Sequence, residues 1–232
     1  IVIERFEPLG GVRDVLSVGS PEVPGHLERG AGLYLSYAAQ PFRIEASGAG
    51  GAPLTFAVVD RQATLTAGAS VGLFGFAELA VVGSGALAQT VGHAPNVPAT
   101  LQPTIASSGL SDLRVIPKLR LGALGPLQAG VALPMSFPTG DRTSFLGAGA
   151  ATWAPRLDLE VALRKVRLLA NAGYAVRPAR KVLDTTVGSA VTYGLAAELP
   201  LGRWAVQGSL IGERGASAAT SPLEAVLGVR WQ

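Results

Sequence analysis

The sequence predicts an all-β fold: a transmembrane antiparallel up-and-down β-barrel of about ten strands, or twelve if these residues belong to a longer chain. Three observations predict it. From Trp153 to Val176 two arms follow a two-residue period, and in each arm one parity is apolar while the other is strongly polar. The same alternation recurs along most of the 232 residues. The connections between alternating stretches run long, short, long, short, which matches the short periplasmic turns and longer outer loops of an outer-membrane barrel. A soluble sandwich also alternates, but nothing in its construction sorts its turns by length.

Composition agrees. The chain has 30 glycines, 6% aromatic and only 15% charged residues, and a mean hydropathy of +0.37. No window reaches the roughly 18 uninterrupted apolar residues of a membrane helix, so the apolarity is spread over alternate positions. Zero cysteines exclude disulfides and thiol chemistry. A net charge of +3, dispersed along the chain, does not suit nucleic acid. Ile1 opens without a basic or apolar leader, so any signal peptide is expected to have been removed already or to lie outside the given residues.

Taken in order, residues 1–30 are broken by Pro8, Gly10, Gly11, Gly19, Pro21, Pro24 and Gly25 and read as a periplasmic lead-in. It could enter the lumen as a plug, pack beneath the barrel, or remain a tether. Residues 31–232 form the barrel. Leu33, Leu35 and Tyr37 share one parity of the first strand, and a Gly-rich connection follows at Ser47–Gly51. Ala63 to Leu73 alternates almost without fault, turns at Phe74-Gly75, and returns through Ala77, Leu79 and Val81 opposite Glu78. A Pro-rich loop spans Thr90 to Gly109. Leu113 to Leu121 then alternates against Asp112, Arg114, Lys118 and Arg120, with a bulge or local gap expected at Pro117.

A tight Gly122–Pro126 turn leads to Leu127–Phe137, and a loop from Pro138 to Ala150 delivers the chain to the hairpin turning at Arg164-Lys165. After a basic loop, Arg177–Asp184, come Val187–Leu201, a turn at Gly202, Trp204–Glu213 and Leu223–Trp231. Phe74, Phe76, Trp204 and Trp231 fall by the short turns. Phe42, Phe56, Phe137, Trp153 and Tyr174 fall toward the long loops, the placement of two interfacial girdles.

If the apolar parity faces lipid, the lumen holds an ionic network of Glu78, Asp112, Arg114, Lys118, Arg120, Arg156, Asp158, Glu160, Arg164, Arg167, Glu198, Glu213, Glu224 and Arg230. In a bore this narrow such charges must be paired or solvated. The same residues could instead line a polar conduit or gate. Arg142, Arg177, Arg180, Lys181 and Arg214 lie in or beside the long loops and are candidate contacts for lipopolysaccharide phosphates. Catalysis finds no support: His26 and His93 are not spaced with a nucleophile and an acid, and no metal or cofactor motif occurs.

Arg5-Phe6-Glu7-Pro8, Gly25-His26-Leu27 and Gly32-Leu33-Tyr34-Leu35-Ser36-Tyr37 with Pro41 resemble the front of OmpA-family proteins of delta-proteobacteria. Val59-Asp60-Arg61-Gln62, Gly72-Leu73 with Phe76-Ala77-Glu78-Leu79, and Leu133-Pro134 with Phe137-Pro138-Thr139-Gly140 extend the resemblance over most of the chain. It implies an N-terminal outer-membrane barrel, to which a periplasmic peptidoglycan-binding domain is joined in such proteins. A myxobacterial branch that works with an adhesin in outer-membrane exchange is similar in domain plan. The expected role is a structural anchor in the bacterial outer membrane that presents a surface to a protein partner. The alternative is a narrow channel or transporter for small solutes.

Overall fold

The computed structural model describes residues 7–47, 53–92, 105–182, 185–215 and 221–231, giving the backbone alone for 42–47, 53–56, 180–182 and 185. The described residues contain strands and no helix. The strands are β1 (Arg29–Ser47), β2 (Pro53–Leu73), β3 (Ala77–Val91), β4 (Gly109–Leu110), β5 (Leu113–Leu124), β6 (Leu127–Ala132), β7 (Met135–Phe137) and β8 (Thr152–Trp153). They continue with β9 (Arg156–Leu163), β10 (Val166–Ala175), β11 (Arg180–Val182), β12 (Thr185–Val187), β13 (Ala190–Leu201), β14 (Trp204–Arg214) and β15 (Leu223–Trp231).

One sheet runs β1-β2-β3-β5-β6-β9-β10-β13-β14-β15, a path of ten strands, each antiparallel to the next. Sequential neighbours therefore pair throughout, and the chain meanders. β11 and β12 form a separate hairpin over 180–187, which runs past the loop expected at 177–184, so the strand expected from Val187 begins instead at Ala190. No ladder joins β1 to β15 among the described residues, so hydrogen bonding leaves the sheet open.

Local chemistry accounts for the turns. Each short connection contains backbone in the left-handed region: Phe74 and Gly75, Gly125, Arg164, and Gly202. The turn expected at 122–126 is tighter than the sequence implied, because β5 continues to Leu124 and only Gly125-Pro126 lie between the strands. The gap expected at Pro117 is present. β6 stops opposite Lys118 and β7 resumes opposite Val115, so the break faces Ile116-Pro117 and includes Pro134. Neither proline has an N–H for the ladder.

The two faces of the sheet are inverted relative to a soluble protein. Leu35, Leu195 and Leu227 are 72%, 58% and 87% exposed. Leu33, Tyr37, Val81, Leu119, Leu157, Leu168, Val191 and Val229 share that outward face. On the opposite parity Gln62, Thr64, Thr66, Glu78, Lys118, Asp158, Glu160, Glu198 and Gln207 are all buried.

The buried face encloses the N-terminal segment 7–28. Val12 lies against Gly30 of β1, and Gly10 packs on Gly68 of β2. Leu9 clusters with Ala80 and Val82 of β3, Ile116 of β5 and Ala132 of β6. Pro21 abuts Gly130 of β6. Val15, Leu16 and Val18 pack with Leu169 of β10, Ala196 of β13, Ile211 of β14 and Val226 of β15. Ser20 bonds to Glu160 of β9. All ten strands of the path thus meet one short segment, which requires the sheet to curl around it. The glycines facing the segment leave room for a second backbone: a Cβ on Gly68 would come within 2.9 Å of the Gly10 Cα.

Candidate functional site

The interior is an ionic core assembled around the N-terminal segment. At its centre Lys118 Nζ lies 2.7 Å from Asp14 Oδ1 and 3.0 Å from Glu78 Oε2, with all three residues buried. Asp14 also accepts the backbone N–H groups of Gly11 and Ser20, which folds the segment about its own carboxylate. Arg156 Nε pairs with Asp158 at 2.9 Å, while Asn171 donates to Asp158 and exchanges hydrogen bonds with the backbone of Gly19. Arg167 bridges Glu160 and Glu198 at 2.7 and 2.8 Å. Glu198 further receives Arg230 and Gln207. Arg230 also donates to the Val12 carbonyl, tying β15 to the residue that touches Gly30 of β1.

This arrangement meets the electrostatic requirement of a narrow interior. A buried charge is tolerable when an opposite charge and further hydrogen bonds surround it. Period-two alternation places the carboxylates and cations on adjacent strands at matching registers, as with Glu78 opposite Lys118 and Arg167 opposite Glu198. The folded N-terminal segment supplies the remaining partners.

Of the residues read from the sequence as a lumen network, Glu78, Lys118, Arg156, Asp158, Glu160, Arg167, Glu198 and Arg230 converge on this core. Arg114 belongs to its upper edge, donating to Glu7 and to the Pro8 carbonyl. Asp112 instead accepts the N–H groups of Gly140 and Ala148 and so holds the following loop. Glu213 pairs with Arg177 through both guanidinium ends. Glu224 is half-buried at the rim of a cavity. Arg120 is exposed near a short turn, and Arg164 is the exposed turn residue itself. Parity places a side chain on a face but says nothing of its depth along the strand, which is why these two fall outside the core.

Sequence reading missed Asp14, Ser20 and Asn171. Asp14 left little signal, because the adjacent Arg13 makes the pair read as ordinary loop charges.

Toward the long loops, residues 138–150 fold inward. Leu146 and Ser144 are buried, and Gln89 of β3 donates to the carbonyls of Ala106 and Ser144. Asp141 accepts hydrogen bonds from the Ser144 and Thr143 side chains and from the Thr143 N–H, and these hold its carboxyl down to about 2. A carboxylate whose folded pKa is depressed stabilises the fold above its ordinary range, and that contribution is lost as pH falls through the folded value. The protection of the Thr143 and Ser144 amides, taken relative to the intrinsic exchange rate at each pH, is therefore expected to hold at pH 3.5 and to fall as pH drops through about 2. In an Asp141→Asn variant the step should disappear.

Between this loop, the N-terminal segment and β9, β10, β13 and β14 lies a cavity of about 330 Å³. Glu7, Leu9 and Ser17 form its floor. Of the loop cations, Arg177 lines this cavity and is engaged by Glu213 and the Gly188 carbonyl. Arg142 and Arg214 are exposed, and the side chains of Arg180 and Lys181 lie outside the described residues.

The histidines show no catalytic grouping among the described residues. His26 stacks on Phe74 at 5.6 Å and accepts its N–H, anchoring the segment to the first short turn, and His93 lies outside the described residues. No group of three or more acidic or histidine side chains is placed to hold a metal ion among those residues.

Fold and site together define a class: an antiparallel all-β sheet with an apolar exterior and an ionic interior, curled around its own N-terminal segment. No family model matches the sequence, and no curated protein matches it.

Proposed function

We propose that this chain is a bacterial outer-membrane β-barrel of OmpA-like type, serving as a structural anchor whose outer loops present a surface to a protein partner. One observation carries the reading: the apolar parity of the sheet faces outward and the charged parity faces inward. A contiguous apolar exterior of this extent is unfavourable in water and suited to lipid.

An open edge cannot persist in hydrocarbon, where unpaired N–H and C=O groups cost several kcal/mol each. β1 and β15 are therefore expected to close on each other in the membrane. Val12 lies against Gly30 of β1 and its carbonyl accepts from the Arg230 side chain of β15, which supports this expectation. Outward-facing Phe74, Phe76, Trp204 and Trp231 suit one interface, and Phe137, Trp153 and Tyr174 the other. Phe42 and Phe56 lie outside the described side chains.

An anchor is favoured over a channel because the N-terminal segment occupies the interior and is bound to the strands by charge-assisted hydrogen bonds. The reading assigns no catalysis. Outer-membrane lipid and lipopolysaccharide are the expected surroundings, with Arg142 and Arg214 the exposed cations available for headgroup phosphates.

Cysteine labelling tests the topology. A cysteine at Ala179 should react with an impermeant maleimide on intact cells, while one at Gly202 should react only after lysis. Asn96, a further loop position suited to this test, lies outside the described residues. Labelling of both positions in protein that stays in solution without detergent would remove the membrane reading. Selective conductance in planar bilayers would replace the anchor by a channel.

A further inference from the structure

We infer that the sheet is threaded by its own chain: the N-terminal segment crosses the interior from the short-turn rim to the long-loop rim, and the chain preceding Glu7 is displayed beside the long loops. The two ends of the segment fix its direction. At the short-turn rim Leu27 donates to the Gly72 carbonyl, and the Glu28 carbonyl accepts the Gly72 N–H, one residue before β2 ends. His26 stacks on Phe74 in the turn that follows.

At the other end Glu7 pairs with Arg114, the second residue of β5. That strand reaches its short turn only after Leu124, and Arg114 to Leu124 rises about 33 Å along it at about 3.3 Å per residue. Arg114 also stands opposite Ser136, where β7 is about to give way to the long loop at 138–150. Glu7 lines the cavity beneath that loop together with Arg177 and Pro178 of the next long connection. A plug that entered and left on one side would have both ends at the short turns. Here Glu7 lies at the long-loop rim, while β15 finishes at the opposite rim with Trp231 paired to Trp204, beside the turn at Gly202.

No finished pore has to be threaded. Every strand of the ten-strand path meets the segment, so the sheet closes around a chain already in place. Lys118 then holds the Asp14 carboxylate and Arg167 the Arg13 carbonyl. This deepens the anchoring role, since the surface offered to a protein partner gains the chain that leaves at Glu7. Which side of a membrane that surface faces rests on the outer-membrane reading; the crossing itself does not.

The chain has no cysteine, so introduced pairs are unique. The whole protein carries Glu4→Cys with either Ala179→Cys or Gly202→Cys, is spin-labelled in urea and refolded into detergent micelles, and pulsed electron resonance reads each separation. Position 4 is three residues from Glu7, a reach of about 10 Å. The separation from 179 is expected to be shorter than that from 202 by about 10 Å or more. Equal separations, or the reverse order, overturn the crossing. Arg203→Cys replaces Gly202→Cys if the left-handed turn at Gly202 does not accept a side chain. On intact cells an impermeant maleimide should label Glu4→Cys along with Ala179→Cys, and should reach Leu27→Cys only after lysis. Glu4→Cys reacting only after lysis, with Ala179→Cys still labelled from outside, overturns the display and leaves the membrane reading standing. Loss of the Ala179 and Gly202 pattern removes the membrane reading instead, and the two separations still decide the crossing.

Discussion

Lys118→Met is expected to destabilise the protein by roughly 3–5 kcal/mol, the penalty for removing one partner from a buried ion pair. Lys118 is the cation that Asp14 and Glu78 share, and each of the three residues is 5% exposed or less. Without it two carboxylates remain enclosed, and Glu78 has no hydrogen bond from elsewhere among the described residues to fall back on. Asp14 would retain the Gly11 and Ser20 N–H groups, which cannot replace a full charge at 2.7 Å. The triple variant Asp14→Asn, Glu78→Gln, Lys118→Met removes every charge at once and should recover most of the loss, because an uncharged, well-filled interior often equals a buried ion pair. Urea unfolding in vesicles, read by heat-modified migration on gels, measures both variants. A single variant as stable as the parent would mean that the two acids are solvated or protonated and do not depend on Lys118.

Leu195→Arg gives the second large effect, and it separates lipid from water. Leu195 lies in the middle of β13 on the outward parity, 58% exposed, with Gly194 and Ala196 beside it facing inward. If that face meets hydrocarbon, an arginine near the bilayer midplane costs about 2–4 kcal/mol. On a water-exposed sheet the same change would stay within about 0.5 kcal/mol, as surface substitutions do. Leu201→Arg, beside the short turn at Gly202, should cost much less because its guanidinium can reach the interface. Folding yield into vesicles at increasing urea gives both values. A flat profile with depth would leave the exterior wet and the membrane reading without its support.

How much of this was legible in the sequence follows from the range of each interaction. The hairpin turning at Arg164-Lys165 could be read because alternation and turn chemistry act between residues a few positions apart. The ten-strand meander followed from the same signals, since sequential neighbours pair throughout. The inward parity of Glu78, Lys118, Asp158, Glu160 and Glu198 also came from alternation alone. Depth along a strand did not, so Arg120 and Arg164 were grouped with residues they do not meet.

The sequence by itself determined the strands, their order and the chemistry of each face, because a strand turns its side chains out and in by a fixed period of two. Tertiary structure alone decided what fills the inside. The segment 7–28 carries no periodic signal, and its position rests on contacts such as Asp14 with Lys118 and Gly19 with Asn171, which lie 104 and 152 residues apart in the chain. Those contacts form only after the sheet has curled enough to leave buried charges facing an enclosed space. The partner that then completes their solvation is chosen by shape and charge in three dimensions, which no local pattern of residues encodes.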